Sequence, residues 1–241
     1  MSVPRSSPAN IEIAGVAGAG KSTLARVLCS EREFGKLDDT LRLREPSHLK
    51  YVARSIPRLA GLAKRWVAAG SLPSLTELKL LVYLMEWDSR LTEPRYPDAK
   101  ATVLDQGPVY ALARLGHRDP PIAGTEPHTD WWRKTVDTWA GCLDAIIWLD
   151  APNRVLAQRV NDRSQEHEIK GTGEAEVMAF VDRYRASYEE VLAAMDRTGG
   201  PLILRYDTSR MSSADVALDT IRKVARLQSR SRRRTSEGGL Q

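Results

Sequence analysis

Cysteine is nearly missing from this chain. Cys29 and Cys142 are the only two in 241 residues. They lie far apart and in no metal-ligand spacing, which argues against a cysteine metal site and predicts a reduced, cytoplasmic protein. No run approaches the roughly 20 apolar residues that a membrane-spanning helix needs. The opening MSVPRSSPAN carries no apolar stretch of the kind a secretory signal requires. Internal repeats and interdomain linkers are also missing, so a single domain is expected. What remains is ordinary for a globular protein, 42% hydrophobic and 28% charged, and long enough for a substantial core. The net charge of +5 is the one anomaly. It traces to Arg226, Arg230, Arg232, Arg233 and Arg234, opposed locally only by Glu237. A run of this kind reads as a solvated tail, and nucleic acid is not the expected partner.

Along the chain, apolar strands alternate with helical periodicity. Residues 1–9 read as a flexible leader. The spacing predicts strands over 10–16, 40–44, 101–104, 145–149 and 202–206, and helices over 21–33, 49–69, 75–91, 131–143, 154–162, 174–195 and 213–227. Residues 116–129, rich in Pro, Gly and His, read as a loop. Alternation of this kind predicts an α/β fold, a parallel sheet of about five strands with helices on both faces. The domain is expected over 10–227, followed by a disordered basic tail over 228–241.

The most specific motif is Gly15-Val16-Ala17-Gly18-Ala19-Gly20-Lys21-Ser22. It satisfies the P-loop pattern after a predicted strand and at the start of a predicted helix. Gly15, Gly18, Ala19 and Gly20 let the backbone curl so that successive N–H groups converge on phosphate oxygens. The helix end adds positive potential. In such a loop Lys21 reaches the β- and γ-phosphates, the Ser22 hydroxyl ligates Mg²⁺, and Thr23 reinforces the α-phosphate side. ATP, or another nucleoside triphosphate, with Mg²⁺ is therefore the expected cofactor pair. Magnesium usually takes a further anchor from an acid at the end of a neighbouring strand. Asp105 and Asp150 both occupy such ends, and both also fit a turn or capping role. His117-Arg118-Asp119 imitates the protein-kinase catalytic loop, but Gly124 stands where that motif requires asparagine.

From Ile11 to about Val224 the order of motifs resembles the thymidylate kinase and deoxynucleoside kinase group. Leu43-Arg44-Glu45-Pro46 is similar to the group's Arg-Glu-Pro or Glu-Pro. Leu104-Asp105-Gln106-Gly107 sits where the group has Asp-Arg-Tyr or Glu-Arg-Ser. Ile147-Trp148-Leu149-Asp150-Ala151-Pro152 resembles its Tyr-Leu-Asp-Val-Pro, and Tyr206-Asp207-Thr208 precedes the last helix where the group encloses adenine with backbone.

The resemblance implies roles for these positions. Asp105 becomes the second magnesium anchor and Asp150 structural. Arg159 and Arg163 belong to a lid near 154–173 that closes over the phosphates; alone, their spacing also fits a solvated helix face. Glu45 faces the acceptor as general base, or is a surface residue before a proline. Arg44 contacts an anionic acceptor, or pairs with Glu45. Departures from the group are equally specific. Ser47-His48 replaces Gly-Gly, Gln106 replaces an arginine, and Glu86 stands where another arginine is expected. Tyr83 and Trp87 are the right types to stack on an acceptor ring, although aromatics at helical spacing are more often core.

The sequence thus predicts an ATP- and Mg²⁺-dependent kinase of a nucleoside, a nucleotide or a similar small hydroxyl compound, with a homodimer left open as its assembly. A kinase of a specialised metabolite or antibiotic is the alternative within enzymes. A P-loop regulator is the alternative outside them, and it lacks recognisable switch segments.

Overall fold

Five short apolar segments become the strands of one sheet: β1 (Ala9–Gly15), β2 (Phe34–Leu37), β3 (Ala101–Asp105), β4 (Ala145–Asp150) and β5 (Leu202–Asp207). They pair in parallel throughout, in the order β2-β3-β1-β4-β5. The computed structural model describes residues 8–31, 34–37, 45–68, 70, 72–91, 99–117, 126–162 and 173–237. Its helices are α1 (Lys21–Ser30), α2 (Pro46–Ala68), α3 (Leu75–Glu86), α4 (Asp88–Leu91), α5 (Pro108–Gly116), α6 (Glu126–Cys142), α7 (Asn153–Asn161), α8 (Glu174–Arg197) and α9 (Ser213–Glu237). None of them is long and apolar enough to cross a membrane.

The inner strands are near-continuous apolar runs because helices cover the sheet, as parallel sheets require. Ile11, Ile13, Val103, Ile146 and Ile147 have no solvent exposure. Two helix groups pack against them, α1 with α9 and α5 with α8. The order places β1 between β3 and β4, where the strand order reverses. In an open parallel sheet that reversal opens a crevice beyond the carboxyl ends of the strands. Gly15 ends β1 at that crevice.

Several boundaries differ from the sequence expectation. The predicted strand over 40–44 lies outside the described residues; the strand that pairs with β3 is Phe34–Leu37. The helix expected over 75–91 breaks at Trp87, whose wholly buried indole packs among His48, Tyr51 and Tyr83. Helix α5 was not anticipated; it is only nine residues long, and its less buried side is confined to Tyr110, Arg114 and Gly116. Val109, Ala111, Leu112, Ala113 and Leu115 are all fully buried. The last helix passes the expected end at 227 and runs to Glu237, with no Pro or Gly to stop it. The Gln228 amide donates to the Lys100 carbonyl, tying that point of α9 to the body.

Candidate nucleotide and acceptor site

The glycine-rich loop between β1 and α1 has the geometry its composition predicts. Gly18 and Gly20 have φ of 84° and 92°, values that an L side chain rarely adopts. At Gly18 a Cβ would also stand 2.8 Å from the Leu156 carbonyl oxygen, and at Gly15 one would stand 2.4 Å from that of Leu149. The loop is thus pressed against β4 and α7 at Gly15 and Gly18, where there is no room for a side chain. Gly20 is the N-cap of α1 and supplies no side-chain cap, and no acid lies in the first turn. The first N–H groups of the helix therefore face the loop's concavity with their partial positive charge intact. Lys21 Nζ reaches back over the same concavity and donates to the carbonyls of Gly15 (2.8 Å) and Val16 (3.0 Å). Ser22 and Thr23 stand exposed in the first helical turn.

A cleft of about 440 Å³ continues from this loop, lined by Gly18, Gly20, Thr23, Arg159, Thr208 and Ser212 among others. Arg159, from α7, spans it. Its guanidinium donates to Thr208 Oγ1 and Thr208 O at 2.9 Å each and to Gly18 O at 3.4 Å. Thr208 is itself anchored to β4, its N–H donating to the Asp150 carbonyl at 2.8 Å. The corner after β5 is further shaped by Asp207, which accepts from Ser209 N and Oγ at 2.8 and 2.6 Å. Those two hydrogen bonds, helped by the charges of Arg210 and Arg159, hold its carboxyl below the usual range. Arg163, expected to accompany Arg159, lies outside the described residues.

Of the two candidate acids, Asp150 is committed elsewhere. Arg185 grips it with Nε at 2.7 Å and Nη2 at 3.1 Å, and that hydrogen bonding pushes the guanidinium's pKa up. Asp105 ends β3 opposite Ile13, beside the strand that runs into the loop. The next residue, Gln106, is exposed and has φ of 70°, the one positive value among described non-glycine residues. No cluster of three His, Cys, Asp or Glu able to hold a metal occurs among the described residues. One hydroxyl and one carboxylate beside a phosphate cradle are nevertheless the donor set that suits Mg²⁺, which keeps water and phosphate oxygens as its remaining ligands.

The acceptor-side candidates form a second group on α2 and α3. Glu45 precedes α2; its exposed carboxylate accepts from Ser47 Oγ at 2.8 Å and lies 3.6 Å from His48 Nε2. Tyr83 and Trp87 are 4% and 0% exposed, with Tyr83 stacked on Trp139 at 5.6 Å. These rings belong to the core and present no open platform. Glu86 pairs with Arg58 of α2 at 3.2 Å, so the acid that departs from the expected arginine brings its own countercharge. Arg44 lies outside the described residues. Helix α3 packs on α5, the helix that follows Asp105 and Gln106, which links this group to the sheet end. Sequence reasoning missed Arg58, Arg185 and the cap described below, since each acts through a partner distant in sequence.

A family model described as an AAA domain matches residues 11–191. No protein of curated function matches the chain by sequence. Among solved structures, the chain is similar to a deoxyadenosine kinase from M. mycoides, at 13% identity over 89% of this chain and 99% of that one, with a TM-score of 0.54. It is also similar to the thymidylate kinase of Candida albicans, at 14% identity over 92% and 93%, with a TM-score of 0.53. The YorR protein of Bacillus subtilis follows at 17% identity, over 90% and 95%, with a TM-score of 0.50.

Proposed function

Because the chain belongs to the AAA-domain family of P-loop proteins, we propose that it is an ATP- and Mg²⁺-dependent kinase that phosphorylates a hydroxyl of a nucleoside or similar small acceptor. The observation that carries this reading is the loop itself. Glycines in conformations closed to other residues, an uncapped helix end and Lys21 all converge on one concavity that opens into the Arg159–Thr208 cleft. A triphosphate fits the concavity, and the cleft is of a size and position to take the attached nucleoside.

In this reading the acceptor hydroxyl gives its proton to Glu45 as its oxygen bonds to the γ-phosphorus. The bond from that phosphorus to the β,γ-bridging oxygen breaks, and ADP leaves. Ser22 and Asp105 would hold a magnesium ion, which would supply neutralising charge at the β- and γ-phosphates. Lys21 and Arg159 add fixed positive charge where negative charge develops. Two features favour an uncharged acceptor over a monophosphate. Arg58 is neutralised by Glu86, and the exposed residue after Asp105 is the neutral Gln106. The M. mycoides relative is a nucleoside kinase by name and the Candida relative a nucleotide kinase, so the fold accommodates either chemistry.

Incubation with γ-labelled ATP and a panel of nucleosides, their monophosphates and sugar alcohols tests the reading. Label should pass to a nucleoside or another neutral hydroxyl compound. Release as inorganic phosphate alone, with every acceptor unlabelled, would point to a P-loop regulator instead. Within the same assay, Arg159→Ala should lower kcat more than it raises the KM for ATP, because contacts to the transferring group strengthen in the transition state. Equal changes in both would reduce Arg159 to a strut between Gly18 and Thr208.

A further inference from the structure

Glu12 lies in the middle of β1, three residues before the loop begins. A carboxylate is the costliest kind of side chain to place inside a central parallel strand, yet Glu12 has no solvent exposure. Its two oxygens accept from Val109 N at 2.8 Å and Tyr110 N at 2.9 Å, in the first turn of α5. That helix begins with Pro108, which has no N–H, behind Gly107, which supplies no side-chain cap. The helix's first donors are therefore answered from the sheet, by a charge at the favourable end of the dipole. The fit is close on both sides. A Cβ on Gly107 would lie 2.9 Å from both Cδ and Oε2 of Glu12. The fully buried phenol of Tyr188, on α8, is pushed well up by burial and next by Glu12's charge, with Arg114 of α5 acting in the opposite direction.

A cap would serve stability alone if it lay elsewhere. Here only Gln106 and Gly107 separate Asp105, at the end of β3, from the capped helix. Gln106 has a positive φ, a conformation unfavourable for a residue that carries a side chain. Such a turn persists only when its surroundings over-determine it. One end is fixed by the β1–β3 ladder, where Ile13 faces Asp105. The other is fixed by Glu12, from the strand that runs directly into the phosphate cradle.

We propose that Glu12 is a positioning residue for Asp105, locking the Asp105–Gly107 turn to the P-loop strand so that the carboxylate meets the metal that accompanies the triphosphate. This rests on the kinase reading above. The test is calorimetric, using the full chain and a non-hydrolysable ATP analogue, titrated first without metal and then with Mg²⁺. Glu12→Gln keeps the side chain's size but turns an amide NH₂ towards one of the two backbone donors. Its metal-free nucleotide affinity should stay within about twofold of wild type, while the Mg²⁺ affinity of the nucleotide-loaded protein falls about tenfold or more, the range usual for groups that orient a metal ligand. Combined with Asp105→Asn it should add nothing to the loss from Asp105→Asn alone, since the two act on one contact. Gly107→Ala, which crowds the same carboxylate from the other side, should reproduce the metal defect and serves if Glu12→Gln fails to fold. Unchanged Mg²⁺ affinity in the variant that folds, or an additive double variant, would overturn the inference and leave Glu12 a structural cap. Should Asp105→Asn itself bind Mg²⁺ as wild type does, positioning falls while nucleotide binding stands. Should wild type bind no nucleotide, the kinase reading falls and takes this inference with it.

Discussion

Lys21→Ala should yield a folded protein whose phosphoryl transfer has dropped by at least a hundredfold or so, the scale on which loss of one preorganised charge at a transferring group is usually felt. Lys21 is the one loop side chain whose charge lies over the concavity, and its present partners are two backbone carbonyls, Gly15 O and Val16 O. Those hydrogen bonds contribute on the order of 1–2 kcal/mol to stability at this half-buried position. Their loss should lower the melting temperature by only a few degrees, at roughly 2–4 °C per kcal/mol for a chain of this size. The fold is safe for a second reason. The turn is made by Gly18 and Gly20 in conformations that do not depend on lysine, and by the close approach of Gly15 to Leu149. Activity and melting temperature should therefore separate widely. Turnover within about threefold of wild type would remove the loop from the chemistry, because no other term commonly compensates a loss of this class. Lys21→Arg is the informative companion. It keeps the charge but replaces a compact ammonium with a broad planar fork, so recovery of activity would show that charge, and not shape, is what the cradle needs.

The shape of the glycine-rich loop could be foreseen because its physics is local. Three glycines, a lysine and a serine within eight residues determine both the turn and its potential, and nothing distant is required. The strands were legible for a related reason. Segments such as Ala145–Asp150 are buried on both faces and so read as apolar runs. What could not be read depends on partners far along the chain. Arg185 and Asp150 meet over 35 residues, Arg159 and Thr208 over 49, and Glu12 and Val109 over 97. A glutamate inside an apolar strand gives no hint that it caps a helix it has not yet reached. The partner of helix α5's first N–H groups was hidden for the same reason, since that acid lies on β1. Trp87 shows the opposite failure. Its helical spacing suggested continuity through 91, whereas the helix ends at Trp87, whose indole packs against His48 and Tyr51.

Glu45→Gln separates the two remaining accounts of the acceptor. The side chain is exposed, with Ser47 and His48 beside it among the described residues, and surface pairs of this kind contribute about 0–1 kcal/mol. Glutamine can still accept from Ser47, so melting temperature and ATP binding should scarcely change. If Glu45 takes the proton of the attacking hydroxyl, kcat should fall by roughly a hundredfold or more, within the usual range for loss of a general base. In the competing account Arg44 grips a monophosphate and Glu45 merely orients that arginine, so the same substitution should mainly raise the acceptor's KM. Acceptor choice supplies the independent check. If the acceptor binds on this side, the mutually paired Arg58 and Glu86 and the neutral Gln106 give a dianionic phosphate little to compensate its desolvation. Nucleosides should therefore turn over faster than their monophosphates in wild type, and Glu45→Gln should erase most of that advantage. Faster turnover of monophosphates, together with a KM effect in the variant, would instead assign Arg44 the decisive contact and make the protein a nucleotide kinase.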